Sequence, residues 1–155
     1  MPPLSLQAGS RTIIIRRVDA EEIIPLRHCI LRAGLPIEEA YFTGDADPRT
    51  RHVAAFDGPR AVCCATFVLN SWEQEPAWQL RGMATEAPWR RHGLGQAVLQ
   101  YAMDLVLESS PPTRLFWCNA RAPALEFYVR QGWEVRSELF HIPTAGPHRK
   151  MTRRA

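Results

Sequence analysis

The chain has 155 residues, of which 46% are hydrophobic and 23% are charged, an ordinary composition for one globular domain with a single core. Its formal net charge is only +3, and its basic residues do not cluster with aromatic ones, so we expect no nucleic-acid partner. No apolar run is long enough to span a bilayer and no signal-peptide pattern precedes the first predicted strand, so we expect a cytoplasmic protein without a membrane partner.

The first third of the chain predicts an arm, a strand and a helix. Residues 1–10 contain two prolines and little periodicity, and we expect them to form a loose N-terminal arm. The β-branched run at 11–18 predicts a strand. Asp19 is placed to cap a following helix, which we expect to bend at Pro25 and to end at Gly34.

The middle of the chain predicts a loop and three strands. Residues 35–50 are polar and marked by glycine and proline, so we expect a loop on the substrate side with at most one helical turn. An Asp-Gly turn between two apolar stretches, at 52–56 and 61–69, is a strong hairpin signal. A third strand is predicted at 80–85.

The C-terminal half continues this alternation of strands and helices. Apolar residues at helical spacing from Leu94 to Leu105 predict an amphipathic helix, and 114–118 is a short apolar run typical of a strand covered on both faces. A helix at 122–131 and strands at 133–140 and 148–153 follow. The order of elements predicts an α/β or α+β sheet with helices on its faces.

Cysteine and histidine are scattered rather than grouped. The four cysteines lie singly or as an adjacent pair in apolar segments, without the C-x-x-C spacing of a zinc or redox site. Free thiols in such places pack as small hydrophobes. The five histidines show no ligand spacing either, so we expect no metal site.

An arginine- and glycine-rich turn links the strand at 80–85 to the amphipathic helix. The first N–H groups of a helix lack internal partners and the helix dipole is positive there, so such a turn favours an anion. A P-loop needs a lysine after its last glycine, but the only lysine of the chain is Lys150. A dinucleotide-binding turn needs GxGxxG or GxGxxA, but the sequence that starts at Gly93 has Val98 in the last position. Both patterns fit poorly.

A third pattern, arginine, two residues, glycine, one residue and glycine, is met by RRHGLG at 90–95. At this point the chain resembles the GNAT superfamily of acyl-CoA-dependent N-acyltransferases. The segment NARAPALEFYVRQGWEV resembles the second conserved region of that family, and the two regions together cover about the C-terminal half. Two residues depart from the family pattern: Arg91, where many members have glycine, and Thr85, where an aliphatic residue is usual.

The resemblance implies a fold and a set of partners. The expected fold is a single GNAT-like domain over 1–155, of mixed α/β (α+β) class. Its central sheet would be mostly antiparallel, with six to seven strands, a splayed central pair and about four flanking helices. The expected co-substrate is acetyl-CoA, the acceptor is an unidentified amine, no metal takes part, and a homodimer is an expectation from the resemblance alone.

The resemblance also implies where the cofactor binds. Backbone groups at the end of the strand would hold pantetheine, the glycine turn would hold the pyrophosphate, and Asn119 would face pantetheine across the gap. The alternatives are a glycine-bearing helix start that binds nothing, solvated arginines, and Asn119 as a turn residue or helix cap. The expected cofactor-binding residues are Met83, Ala84, Thr85, Arg90, Arg91, His92, Gly93, Leu94, Gly95, Gln96 and Asn119.

Tyr128 is the predicted catalytic residue, because it occupies the position where family members often place a tyrosine near the acyl sulfur. A phenol with a pKa near 10 stays protonated at neutral pH and can donate to a departing thiolate. Phe127 and Tyr128 could instead be packing groups. No base stands out: the loop glutamates, a water chain, His141 or His148 could serve. The two histidines could instead bind the substrate, and in such positions histidines are more often structural.

These residues lead to two hypotheses. The first is an N-acetyltransferase that moves an acetyl group directly from acetyl-CoA to a primary amine of a small molecule or a protein, without a covalent enzyme intermediate. The alternative is a non-catalytic acyl-CoA-binding or regulatory module with the same pocket.

Overall fold

Nine strands form one sheet in the computed structural model, which describes residues 1–155. The strands are β1 (Leu4–Ala8), β2 (Arg11–Val18), β3 (Arg51–Asp57), β4 (Arg60–Leu69), β5 (Trp78–Thr85), β6 (Leu115–Arg121), β7 (Glu134–Val135), β8 (Phe140–Ile142) and β9 (Gly146–Arg154). The helices are α1 (Ile24–Leu31), α2 (Leu94–Ser109) and α3 (Leu125–Arg130), and the four 3-10 turns are Ala20–Glu22, Ile37–Ala40, Ala87–Trp89 and Ala122–Ala124.

The sheet order is β1-β2-β3-β4-β5-β6-β9-β7, with β8 on β9, and every pair except β5–β6 is antiparallel. This confirms the mixed, mostly antiparallel sheet. The counts differ slightly from the expected six to seven strands and about four helices. One additional strand is β1, and another arises because two strands, β7 and β8, replace the single strand predicted at 133–140. The turn at 37–40 is a 3-10 helix rather than a fourth α-helix.

The prediction of a loose arm at 1–10 is wrong for the residues that form β1. Leu4–Ala8 pairs with β2 in register from Leu4 opposite Ile15 to Ala8 opposite Arg11. The hydroxyl of Tyr101 on α2 donates to the carbonyl of Pro2 at 2.9 Å and holds the start of the chain against that helix. The two prolines precede the strand rather than interrupt it, so they do not prevent its pairing.

The first helix begins later and ends earlier than predicted. Asp19 begins the 3-10 turn, and its N–H donates to the carboxylate of Glu22 at 2.8 Å. Pro25 lies in the first turn of α1, where a missing N–H costs nothing, so it starts the helix and does not bend it. The helix ends at Leu31, three residues before the predicted stop at Gly34.

Helices α1 and α2 cover opposite faces of the sheet. The larger core lies between α2 and one face, and α3 packs on that same side. A smaller core lies between α1 and the other face. Adjacent residues of β4 show the alternation, because Cys63 belongs to the larger core and Cys64 to the smaller one.

The parallel pair β5–β6 separates after three residue pairs. Trp78, Gln79 and Leu80 pair with Phe116, Trp117 and Cys118, and no pairing follows. Beyond this point β5 stays paired with β4, and β6 stays paired with β9. The two strands therefore splay apart at the centre of the sheet, as expected.

Candidate active site

A cavity of about 230 Å³ lies where β5 and β6 separate. Its walls come from both strands, from α3, from the segment after α1 and from the β8–β9 hairpin. Of the predicted site residues, Met83, Asn119 and Tyr128 line it directly. Ala84 and Thr85 do not line it; they continue β5 and pair with Cys64 and Cys63 of β4.

Strand β5 bulges at the point where the gap opens. Ala84 pairs with Cys64 and Arg81 pairs with Thr66, so the two residues Gly82 and Met83 lie opposite one residue of β4. Gly82 has φ +61°, a left-handed conformation that favours glycine. A Cβ there would lie 2.7 Å from Nε of Arg27. The bulge leaves one residue outside the ladder and redirects backbone groups beside the cavity.

The turn before α2 has the geometry of an anion cradle. Arg91 (φ 66°) and Gly93 (φ 78°) are both left-handed, and both are exposed. The first bond into the helix runs from the N–H of Ala97 to the carbonyl of Gly93 at 3.1 Å. The N–H groups of residues 94–96 therefore have no partner within the helix. Alternating left-handed residues and free N–H groups form a concave donor surface.

The side chains of this turn differ in their exposure to solvent. Arg90, Arg91, His92 and Gln96 are exposed, whereas Leu94 is buried in the larger core and offers only its backbone. Nε of Arg90 donates to the carbonyl of Thr85 at 3.2 Å, which ties the turn to the end of β5.

Thr85 is accommodated where the family pattern has an aliphatic residue. Its hydroxyl lies 3.2 Å from Sγ of Cys63, so the polar atom has a partner. Burial raises the pKa of the Cys63 thiol to about 11, and the thiol remains protonated. The departure at Thr85 is therefore absorbed by side-chain packing and leaves the strand intact.

Helix α2, strand β5 and helix α3 meet at Gly95. A Cβ on Gly95 would lie 3.5 Å from the ring of Phe127 and 3.6 Å from Cε of Met83. The anion cradle and the cavity thus adjoin, since Met83 belongs to the cavity wall and Gly95 to the first turn of α2.

Tyr128 lies in the cavity wall with a free hydroxyl. Its ring packs edge-on against Phe127 at 5.1 Å and Trp133 at 5.6 Å between centroids. The residue is 7% exposed, and its hydroxyl forms no hydrogen bond within the chain. Burial raises the pKa of Tyr128 well above its ordinary value, so the phenol keeps its proton across the physiological range.

Asn119 is held by its neighbour in the sheet. Its Oδ1 accepts a hydrogen bond from Nζ of Lys150 at 3.1 Å, and Nζ lies 5.0 Å from the ring centroid of Trp117. With the oxygen engaged, the amide NH₂ of Asn119 is the group available to the cavity.

His148 lines the cavity, whereas His141 is exposed and lies outside it. Nδ1 of His148 lies 2.7 Å from the carbonyl oxygen of Gly146. A carbonyl oxygen only accepts, so Nδ1 carries the hydrogen and Nε2 of the neutral ring is an acceptor. Both histidines are candidate bases in the sequence, but only His148 lies in the cavity wall.

The thiol of Cys118 also borders the cavity but is unreactive. Burial raises its pKa to about 12, so almost no thiolate forms near neutral pH. No arrangement of three or more His, Cys, Asp or Glu side chains could hold a metal ion. None of the helices combines the length and apolar character needed to cross a membrane.

Four arginines near the cavity are not among the site residues that the sequence predicts. Arg32, Arg81 and Arg121 line the cavity itself. Arg27 lies beside it, fully buried, and forms an ion pair with Asp45. Two of the four carry a sequence signal, a charge inside an apolar segment: Arg81 interrupts the apolar run of β5, and Arg27 interrupts that of α1.

Comparisons with known proteins agree with this architecture. A family model described as Acetyltransferase (GNAT) family matches residues 20–133. The uncharacterized N-acetyltransferase YitI of Bacillus subtilis (strain 168) is 29% identical over 137 residues, which cover 86% of this chain and 91% of that protein.

Solved structures share the fold at low sequence identity. FeeM, an N-acyl amino acid synthase from uncultured soil microbes, superposes with a TM-score of 0.78 at 10% identity, covering 96% of this chain and 93% of FeeM. An aminoglycoside 6'-N-acetyltransferase complexed with coenzyme A superposes with a TM-score of 0.65 at 15% identity, covering 90% of this chain and 96% of that one.

Proposed function

Because the chain belongs to the GNAT acetyltransferase family, its reaction is acyl transfer from acyl-CoA to an amine, and we propose that the acyl group is acetyl and the acceptor a primary amine. The observation that carries this proposal is the junction of an anion cradle with a cavity at splayed strands. The cavity of about 230 Å³ favours a short acyl group. It lies below the range of about 300–1,000 Å³ usual for pockets that hold larger ligands.

In the proposed complex, the pyrophosphate of CoA binds the N–H groups at the start of α2, and pantetheine follows β5 into the gap. Arg90, Arg91 and His92 add positive charge, and the NH₂ of Asn119 faces pantetheine from β6. The groups assigned to the cofactor are the backbone of Met83, Ala84 and Thr85, the turn Arg90, Arg91, His92, Gly93, Leu94, Gly95 and Gln96, and the side chain of Asn119.

The proposed chemistry is direct attack of the amine on the thioester carbonyl. The tetrahedral oxyanion would be stabilised by an N–H of the bulge at Gly82 and Met83. As the carbon–sulfur bond breaks, the hydroxyl of Tyr128 gives its proton to the sulfur. The attacking nitrogen loses a proton to solvent, solvent returns one to the Tyr128 oxygen, and the amide and the CoA thiol are the products. Because Cys118 stays protonated, the cavity lining offers no competing thiolate, which fits transfer without a covalent intermediate.

His148 is the proposed base. An alkylammonium with a pKa near 10.4 must lose a proton before it attacks, and this costs about 4 kcal/mol at pH 7.5. Nε2 of His148 is the acceptor nitrogen of a buried ring whose other nitrogen is held by Gly146. The ring therefore has a fixed tautomer in the cavity wall and one lone pair to take the proton.

Binding of CoA or acetyl-CoA is expected to stabilise the protein. At about a hundredfold over the dissociation constant, either ligand should add roughly 2.7 kcal/mol to the free energy of unfolding. For a chain of this size the melting temperature would rise by about 5–10 °C. A thermal shift measures this, and thiol release over a panel of amines then separates an enzyme from a non-catalytic acyl-CoA-binding module.

The matched variant is Gly95→Ala. A Cβ at this position meets Phe127 and Met83 at ordinary contact distance, so the apo protein should keep its melting temperature. The methyl group would point at Met83 of the cavity wall, where the cradle and the cavity adjoin and where pantetheine passes in the proposed complex, and the shift induced by CoA should shrink. If neither CoA nor acetyl-CoA moves the melting temperature of the unmodified chain, the assignment of the cradle is wrong.

Replacement of His148 by glutamine is expected to lower kcat/KM about a hundredfold near pH 7.5. The amide of glutamine can still donate to Gly146, but it cannot accept the proton of the amine. The loss should shrink as the pH approaches the pKa of the acceptor, because the ammonium then loses its proton to solvent without help from the enzyme. The pH profile of kcat/KM measures this, with the exposed His141→Gln as control. A loss that stays constant with pH would indicate a structural role for His148.

A further inference from the structure

The acceptor side of the cavity is strongly positive. Its lining includes three arginines, Arg32, Arg81 and Arg121, and no aspartate or glutamate. A cavity wall with several cations and no acid attracts an anion and repels a cation. This charge is a property of the fold, since the three residues come from the end of α1, from β5 and from β6.

These three arginines form no ion pairs within the chain. None of the three has a carboxylate within 4.0 Å. Each is anchored by a backbone carbonyl instead. Arg32 donates to Leu31 at 2.9 Å, Arg121 to Leu31 at 3.4 Å, and Arg81 to Thr43 at 3.0 Å. Guanidinium groups positioned in this way keep N–H donors for a ligand.

The aspartate near this site is already engaged. Both oxygens of Asp45 bind Arg27, at 2.6 and 3.0 Å. Burial, followed by the charge of Arg121, lowers the pKa of Arg32 and outweighs the opposite effect of Glu39, which forms no ion pair with it. Arg27, Arg32 and Arg81 all stack around the ring of Phe42, with guanidinium carbons 4.3, 5.0 and 5.3 Å from its centroid. The site thus holds concentrated positive charge.

The arginine cluster lies on the opposite face of the sheet from the CoA cradle. Leu31 and Phe42 belong to the α1 side, whereas the cradle begins α2 on the other face. The cavity connects the two sides through the gap between β5 and β6. A pyrophosphate bound at α2 therefore leaves Arg32, Arg81 and Arg121 free for the second substrate.

We propose that the acceptor is an amine that carries its own carboxylate, as an α-amino acid does, and that Arg32, Arg81 and Arg121 bind this carboxylate. The inference rests on the proposed function and specifies its second substrate. Guanidinium forks match the two oxygens of a carboxylate. The small cavity keeps the amine close to the anion and directs it toward the gap, where Tyr128 and His148 lie.

The test compares amines that carry a carboxylate with amines that lack one. Thiol release from acetyl-CoA is measured with the twenty common L-amino acids, their amides, ethanolamine, phosphoethanolamine, spermidine and an aminoglycoside. At least one amino acid should be preferred over its own amide by about ten- to a hundredfold in kcat/KM. Near pH 7.5 the less basic amine of the amide has the larger fraction of reactive free base, so this difference works against the expected preference.

Variants locate the effect. Arg81→Gln and Arg121→Gln should each raise KM for the amino acid about tenfold or more, while kcat/KM for the amide stays within about twofold. The thermal shift caused by CoA should be unchanged in both variants, which shows that they fold and bind the cofactor. Arg11→Gln is the matched control, because Arg11 lies on β2 and its side chain is 61% exposed. This variant should leave kcat/KM unchanged for both the amino acid and the amide.

Three outcomes overturn the inference. Turnover that favours amides, spermidine or the aminoglycoside would leave the acetyltransferase function standing and remove the anionic acceptor. A best rate with phosphoethanolamine would replace the carboxylate by a phosphate. CoA binding without turnover of any amine would contradict the enzymatic function itself, and the acceptor site with it.

Discussion

Replacement of Arg27 by methionine is expected to lower the free energy of unfolding by about 3–5 kcal/mol, the range measured when one partner of a buried ion pair is removed. Arg27 is fully buried and binds Asp45 through two hydrogen bonds, Thr66 at 2.7 Å and the carbonyl of Ala40 at 3.1 Å. Methionine fills similar space but leaves Asp45 charged and without its partner. The melting temperature should fall by about 6–20 °C.

The pH dependence of the lost stability shows whether the unpaired charge of Asp45 causes it. Burial alone would raise the pKa of Asp45, but hydrogen bonds from Arg27 and from the N–H of Phe42 outweigh it and hold the pKa below its ordinary value. A carboxyl whose pKa is lower in the folded than in the unfolded state stabilises the protein at pH values above its unfolded-state pKa. This stabilisation is lost as the pH falls through the folded-state pKa. The difference between wild type and Arg27→Met should therefore narrow in acid, where Asp45 becomes protonated.

Urea unfolding measures both effects. Arg49→Met is a suitable control, because Arg49 pairs with Asp47 at 2.8 Å in the same loop but is 67% exposed, and its urea midpoint should hardly move. The double variant Arg27→Met with Asp45→Asn should recover part of the loss, since it removes the isolated charge. A single variant as stable as the wild type would show that the ion pair contributes little beyond packing.

The parts of the fold that the sequence predicts are those with local causes. The run RTIIIRRV, the Asp-Gly hairpin and the glycine turn at 90–95 each carry their own signal within a few residues. β1 was missed because its pairing partner, not its own composition, makes it a strand. Leu4–Ala8 is five residues long and gains its hydrogen bonds only when β2 lies beside it.

The arginine sites depend on tertiary structure. Arg27 and Asp45 are 18 residues apart, and Arg121 reaches the carbonyl of Leu31 across 90 residues. Nothing in a linear pattern brings these groups together, because the splay of β5 from β6 creates the cavity that they surround. Gly82 is a related case: its conformation follows from a bulge whose register is defined by β4.

Replacement of Tyr128 by phenylalanine is expected to lower kcat by about 10²–10⁴-fold, the usual contribution of a general acid. Its hydroxyl lies in the cavity wall and binds no group of the chain, so the substitution leaves no polar atom without its partner. The contacts of the ring with Phe127 and Trp133 remain. The melting temperature and the thermal shift caused by CoA should therefore be unchanged. Steady-state thiol release, beside both thermal measurements, tests the prediction.

Tyr101→Phe is the matched control. Tyr101 is also buried, but its hydroxyl donates to Pro2 rather than facing the cavity, so this variant should keep the wild-type rate. Because burial raises the pKa of Tyr128 above the ordinary 10.0, the wild-type enzyme should show no alkaline loss of rate from this group up to that pH. A Tyr128→Phe variant with full activity would show that Tyr128 only packs against its neighbours and takes no part in proton transfer. The thiolate, whose parent thiol has a pKa of about 8.5, would then leave unprotonated or take its proton from water.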